Sequence, residues 1–271
     1  MKLSSVYYLD PDYLNNLVDK HGEAYKVAKP FPHVVIDNFL PEALLDSILG
    51  EFPRAGAIEW QKFDAAAEKK LASKSELQMG EMTRFLLYQL NSSTFITFLE
   101  RLTGVDGLIP DPHFEGGGLH QIEPGGFLKM HVDFNRNDRL RLDRRLNLLV
   151  YLNKDWEEAY GGHLELWDKD VTQCSKKILP IFNRCVVFTT TDFSFHGHPE
   201  PLTCPEGETR KSLALYYYSN GRPASEIRKS TSGHSTLFRA RPGETLNLEK
   251  KPIGSRVKAS IKKLILPMTK S

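Results

Sequence analysis

The chain has 271 residues, of which 40% are hydrophobic and 26% charged, and a formal net charge of +2. That length can bury a large core, and the balance is that of a globular protein, which excludes a disordered or fibrous chain. The near-neutral total gives no electrostatic argument for nucleic acid, and with no apolar run of spanning length and no apolar signal core in Met1 to Asp12, neither a membrane protein nor a secreted one is expected.

Residues 1–30 are polar with mixed helical signals. Val34-Val35-Ile36 then reads as a short buried strand, and Pro41 suits the first turn of a helix through Leu44, Leu45, Ile48 and Leu49. The stretch 55–80 is rich in Ala, Lys and Glu and reads as a surface helix or a loop. Residues 83–102 have mostly helical spacing, closed by Thr103-Gly104. From Pro110 the segments shorten and become strand-like, near 118–122, 127–132, 145–152, 162–167, 178–182, 184–190, 193–198 and 211–219, many of them separated by Gly or Pro clusters. Such a series predicts a jelly-roll sandwich or barrel. The fold class expected is α+β: a helical support region over 1–110 packed on the core, a double-stranded β-helix over 111–220, and a basic extension over 221–271, in which Val257 to Leu266 is predicted as a short helix.

Residues 221–271 hold 12 Lys/Arg against 3 Asp/Glu, a net of +9, while residues 1–220 have a net of −7. A tail of this kind either meets an acidic partner or is solvated or packed on its own acidic body, and both readings stay open here. The three cysteines, Cys174, Cys185 and Cys204, are too sparse for a disulfide framework and suit a reducing compartment, so a cytoplasmic location is expected.

Chemistry concentrates in three separated pieces: His131-Val132-Asp133, His196 and Arg210. Side chains at i and i+2 of a strand face one side, so His131 and Asp133 offer two ligands from one rigid element. A second His completes a set of two imidazoles and one carboxylate, which suits Fe(II) with open coordination positions, although zinc or manganese would accept the same donors. His196 and His198 compete for that third place; they share the period of one strand, and Arg210 lies 14 and 12 residues beyond them, so neither period nor spacing separates the two. Arg210 opens an apolar strand and would be costly to bury without an anion, which points to an acidic cosubstrate, unless it is an exposed strand-end Arg. His113, His120 and His163 read as ordinary strand or loop histidines.

The run Tyr151-Leu152-Asn153-Lys154-Asp155-Trp156, followed by Gly161-Gly162-His163-Leu164-Glu165-Leu166, then Arg184-Cys185-Val186-Val187-Phe188 and Thr209-Arg210-Lys211-Ser212-Leu213, resembles the iron(II)- and 2-oxoglutarate-dependent dioxygenases, in their prolyl-hydroxylase-like branch. The resemblance covers roughly residues 118–220 and implies His131, Asp133 and His196 as iron ligands. It implies Arg210 and Tyr151 as contacts of the distal carboxylate of 2-oxoglutarate, although Tyr151 in its apolar run also reads as a core aromatic. His198, Asn135, Arg145 and Asn147 are expected on the substrate side. The cofactors implied are Fe(2+), 2-oxoglutarate and O2, with ascorbate as a candidate reductant, and no acid–base residue is expected beyond the metal centre. The activity implied is hydroxylation of a C–H bond of a protein prolyl or other amino-acid residue, with release of succinate and CO2. A free amino acid, a peptide natural product or a sugar-linked small molecule is the alternative substrate, and a non-catalytic jelly-roll binding protein is the alternative of another class. The partner expected is therefore a protein or small-molecule substrate, with no membrane and no nucleic acid. Asp133 argues against the halogenase pattern, in which a small residue replaces the carboxylate. Tyr216 stands where the nucleic-acid demethylase branch has a second Arg. His120-Gln121-Ile122 replaces a tyrosine found in some prolyl hydroxylases upstream of the first iron His, so the first-strand contact differs here.

Overall fold

A computed structural model describes residues 9–228 and 233–247. Four α-helices lie among them: α1 Pro11–Val27, α2 Glu42–Glu51, α3 Glu81–Leu90 and α4 Ser93–Thr103. The start of α1 is set by Asp10, whose carboxylate accepts the Asp12 N–H at 2.9 Å, and by Pro11 in the first turn. The helical spacing over 83–102 resolves into two helices because Ser92 caps the second, accepting the Phe95 N–H at 3.4 Å. Gly104, at φ 73°, ends it in the left-handed conformation that glycine adopts at least cost. The α3 start has no side-chain cap of its own. Instead Glu51, at the end of α2, accepts the N–H groups of Met82 and Thr83.

The strands, in chain order, are β1 His33–Asp37, β2 Gln61–Ala65, β3 Glu68–Ala72, β4 Ile109–Pro110, β5 Gly118–Ile122, β6 Phe127–Val132, β7 Arg136–Asn137, β8 Leu142–Tyr151, β9 Leu164–Trp167, β10 Cys174–Ile178, β11 Arg184–Thr189, β12 His196–His198, β13 Arg210–Ser219 and β14 Leu237–Phe238. Every pairing is antiparallel. The order β1-β11-β8-β13-β5-β3-β6-β12-β9-β10 curls into the two walls of a jelly roll, with β3 joining them by pairing with both β5 and β6. Alternation sorts the long strands. Leu146, Leu148, Val150, Val187, Leu213, Leu215 and Tyr217 join Leu45, Ile48, Leu86, Phe95 and Leu99 of the helices in one buried core. At about 1.5–3 kcal/mol for each fully buried large apolar side chain, this layer holds the helices against the sheet. The intervening residues Asn147, Leu149, Ser212 and Tyr216 face the inside of the curl, where they line a cavity.

Two features differ from the sequence reading, and a third settles a choice that it left open. The stretch 55–80, read as a helix or loop, contains the β2–β3 hairpin. Its Ala, Lys and Glu favour a helix locally, but β3 pairs with both walls and buries Leu71 and Ala72, and this tertiary gain overrides propensity. The sheet thus takes β1 and β3 from the first 110 residues, which supply more than helical support. The strand anticipated at 178–182 runs instead from Cys174 to Ile178. The extension beyond 220 also returns to the body: β14 pairs with β6, Lys129 meets Glu244 at 2.7 Å, and Glu226 meets Arg145 at 3.1 Å. The helix predicted over Val257 to Leu266 lies outside the described residues.

Candidate active site

His131 on β6 and His196 on β12 are directly opposed partners of neighbouring strands, with ring centroids 4.4 Å apart. Asp133 follows the end of β6 on the same side. Its carboxylate oxygens lie 3.7 Å from His131 Nε2 and 3.4 Å from His196 Nε2, and the three ligand atoms all fall within 4.8 Å of one another. Each imidazole is oriented from behind, His131 Nδ1 by the Lys129 carbonyl at 2.9 Å and His196 Nδ1 by the Ser194 carbonyl at 3.0 Å. With Nδ1–H donating, each Nε2 turns its lone pair toward the carboxylate. Burial, with the neighbouring His131, holds His196 down at about 4, so it is a neutral donor at physiological pH. Burial raises Asp133, but Arg144 and the two imidazoles outweigh it and hold the carboxyl well below its usual range. Two imidazoles and one carboxylate fit a divalent iron.

Asp133 has support that alternation in the sequence conceals. Asn147 donates to its Oδ2 at 2.7 Å, and Arg144 holds the Asn147 carbonyl through Nε and Nη2 at 2.9 and 2.6 Å. The Arg144 guanidinium also lies 3.3 Å from Asp133 and stacks over Tyr216 and Phe134, 3.4 and 4.5 Å from the ring centroids. Period 2 would put Arg145, not Arg144, on the Asn147 face. The register against β13 shifts between Tyr217, opposite Leu146, and Tyr218, opposite Arg144. Arg145 is the extra residue of this bulge, and it is displaced while Arg144 turns inward.

Arg210 opens β13 and is buried. It donates Nε to the Gly162 carbonyl at 2.8 Å and Nη2 to the Tyr151 hydroxyl at 3.2 Å, with its charge 4.9 Å from the Tyr151 ring centroid. Burial lowers its pKa, against the opposing pull of Tyr151. Gly162, at φ 72°, allows this approach, since a Cβ there would lie 3.0 Å from Arg210 Cδ and 2.7 Å from Leu202 Cδ2. A cavity of about 80 Å³ connects these groups; among its lining residues are His131, Asp133, His196, His198, Arg210 and Asn147. Two wider grooves, of about 770 and 750 Å³, hold none of the ligand set, and the donor chemistry rather than size places the site.

Of the four residues expected on the substrate side, His198 and Asn147 line this cavity and Asn135 and Arg145 do not. Arg145 bonds Ser219 and Glu226. Asn135 bonds Asp192 and the His234 N–H, in a cluster that also pairs His234 with Asp192 at 2.9 Å and fastens the extension to the body. His120, read as an ordinary strand histidine, lines the cavity, where its Nε2 meets the Gly116 carbonyl at 2.9 Å. Arg144 and Phe238, whose ring lies 5.6 Å from that of His131, were not anticipated. The first needed knowledge of the bulge and the second of a strand pairing remote in sequence.

Residues 117–218 match the sequence model of the 2OG-Fe(II) oxygenase superfamily. A mouse protein, prolyl 3-hydroxylase OGFOD1, is 33% identical over 79 residues, which are 28% of this chain and 14% of the relative's length. Among solved structures, a prolyl-4-hydroxylase from Pseudomonas putida superposes with a TM-score of 0.52 at 18% identity, covering 78% of this chain and 99% of that one. A prolyl 4-hydroxylase from Phytophthora capsici does so with a TM-score of 0.53 at 20% identity, covering 79% and 66%. The structural likeness carries the fold. Residues 117–218 are thus similar to the 2OG-Fe(II) oxygenase superfamily, and over about four-fifths of its length the chain shares the fold of the two prolyl 4-hydroxylase structures.

Proposed function

We propose that the chain is an Fe(II)- and 2-oxoglutarate-dependent hydroxylase acting on a prolyl residue of a protein, with release of succinate and CO2. The observation that carries this reading is one cavity with two imidazoles and a carboxylate at one part and a buried Arg210 at another. His131, Asp133 and His196 would hold the iron, which when bound supplies the oxygen chemistry that couples cosubstrate decarboxylation to C–H hydroxylation. Arg210 and the Tyr151 hydroxyl hold the distal carboxylate of 2-oxoglutarate, Arg210 through its planar fork. Leu149, Leu164 and Phe188 wall the cavity and limit water at the reacting centre. Asn147 and Arg144 fix the Asp133 carboxylate in the orientation in which it would hold the metal. The names of the mouse relative and of the two solved structures support the prolyl substrate. The three cysteines are free, which supports a reducing, cytoplasmic setting, and among the described residues no helix is long and apolar enough to cross a membrane.

The test is incubation with Fe(II), 2-oxoglutarate, O2 and a library of proline-containing peptides, read by mass spectrometry. A mass gain of one oxygen atom on proline, with matching succinate, is expected. Succinate formation with oxygen appearing only on a free amino acid or small molecule would replace the substrate assignment.

A further inference from the structure

Three histidines line the cavity on β6 and β12, and they differ in one respect. His131 and His196 each engage a backbone carbonyl through Nδ1, leaving Nε2 for the metal. His198 is equally buried, 4% exposed, yet neither of its ring nitrogens has a hydrogen-bond partner among the described residues. A buried polar atom without a partner is costly, and one aimed into a cavity points to what the cavity binds.

The strand register says where along the cavity His198 sits. His196 pairs with His131, but a bulge follows and His198 pairs with Leu128, near the start of β6. Gly197 permits the bulge, since a Cβ there would lie 2.6 Å from the Leu128 carbonyl oxygen. Arg210, for its part, pairs with Ile122, the last residue of β5, and residues 123–126 turn directly from there into β6. His198 is therefore displaced from the ligand set by about 7 Å of strand, toward the end of the curl that holds Arg210. His198 and Arg210 line the same cavity.

We infer that His198 is a second anchor for the acidic cosubstrate, donating one ring N–H to the distal carboxylate that Arg210 binds. This rests on the cosubstrate reading of Arg210 given above. It moves His198 from the substrate side to the cosubstrate side, and it makes distal-carboxylate recognition a shared task of Arg210, Tyr151 and His198.

Calorimetry without oxygen, with Mn(II) replacing iron, tests it. The ligands are 2-oxoglutarate and 2-oxopentanoate, which has a methyl group in place of the distal carboxylate. His198→Leu and His198→Ala both remove the donor, so either one that folds suffices, and His198→Asn restores an N–H. Loss of one hydrogen bond to a charged group should weaken 2-oxoglutarate binding roughly 10- to 100-fold. His198→Asn should recover part of this, Mn(II) affinity should stay constant, and 2-oxopentanoate should bind wild type and variants equally weakly. Binding of 2-oxoglutarate within about twofold of wild type in the donor-free variants would mean a water-satisfied ring and would overturn the inference. So would an equal loss for 2-oxopentanoate, or a fall in Mn(II) affinity. If wild type itself fails to bind 2-oxoglutarate, the cosubstrate reading falls, and His198 falls with it.

Discussion

Arg210→Ala isolates the cosubstrate anchor. In the free protein the guanidinium is 5% exposed, and its hydrogen bonds go to neutral acceptors, the Gly162 carbonyl at 2.8 Å and the Tyr151 hydroxyl at 3.2 Å. Its charge is desolvated without an anion, so truncation should cost the free fold little. The loss falls on the complex, where the distal carboxylate of 2-oxoglutarate would be buried without its partner. Breaking a buried charge pair costs about 2–5 kcal/mol, which is roughly 30- to 5,000-fold in the Michaelis constant for 2-oxoglutarate. Arg210→Lys should recover only part, because a point ammonium lacks the fork. Iron affinity should be nearly unchanged, since Arg210 is not in the ligand set. Thermal melting offers an independent reading: 2-oxoglutarate at about 100 times its dissociation constant should stabilise wild type by about 2.7 kcal/mol and the variant by much less at the same concentration. An unchanged Michaelis constant in Arg210→Ala would refute the reasoning. Arg145 could not then take over, since it pairs with Glu226 away from the cavity; Arg144 and Lys70 are the other cations lining it.

Asn147→Leu should lower Fe(II) affinity roughly 10- to 100-fold, the usual effect of losing a partner that orients a ligand, with a metal titration as the check and unchanged affinity as the contrary result. Gly162→Ala places a Cβ 3.0 Å from Arg210 Cδ in a left-handed backbone, so it should destabilise the fold by about 1–3 kcal/mol and raise the 2-oxoglutarate Michaelis constant; a variant with wild-type melting and kinetics would contradict this. Burial lowers His234, but its hydrogen bond to Asp192 raises it above its ordinary 6.5. Its contribution is therefore full below 6.5 and lost as pH rises through the raised value. Asp192 is lowered despite its burial, so its contribution is present above its ordinary 3.8 and lost as pH falls through the depressed value. Arg222, 3.9 Å from Asp192, stays charged throughout. Between about pH 6 and about pH 9 the melting temperature of wild type should therefore fall more than that of His234→Asn; equal declines would show that the pair does not fasten the extension.

The approach of His131 and Asp133 to one another was legible because its constraint is local. His131 and Asp133 need only the two-residue period of one strand, and the segment from Tyr151 to Leu166 keeps an ordered series of residue types. The choice between His196 and His198 was not legible, because the bulge that separates their roles depends on Gly197 approaching Leu128 across strands. The same physics hid Arg144: a bulge at Arg145 exchanges the faces of two adjacent arginines, and nothing in Asp143-Arg144-Arg145-Leu146 announces it. The β2–β3 hairpin was missed for a different reason. Its Ala- and Lys-rich sequence prefers a helix, and only the gap between β5 and β6 makes it a strand. Charge alone left open whether the basic extension meets a partner or packs on the body; its described part is held by Asp192, Glu200 and Lys129 of the body.

Metal-dependent turnover of 2-oxoglutarate is the most direct test of the proposed metal centre. Purified chain freed of metal, supplied with Fe(II), 2-oxoglutarate and O2, should form succinate in proportion to bound iron, with one iron per chain. Asp133→Ala should form none while keeping its fold, because it removes one of the three proposed protein ligands. Turnover that is independent of Fe(II), or that survives in Asp133→Ala, would contradict the assignment of His131, Asp133 and His196 as the metal centre.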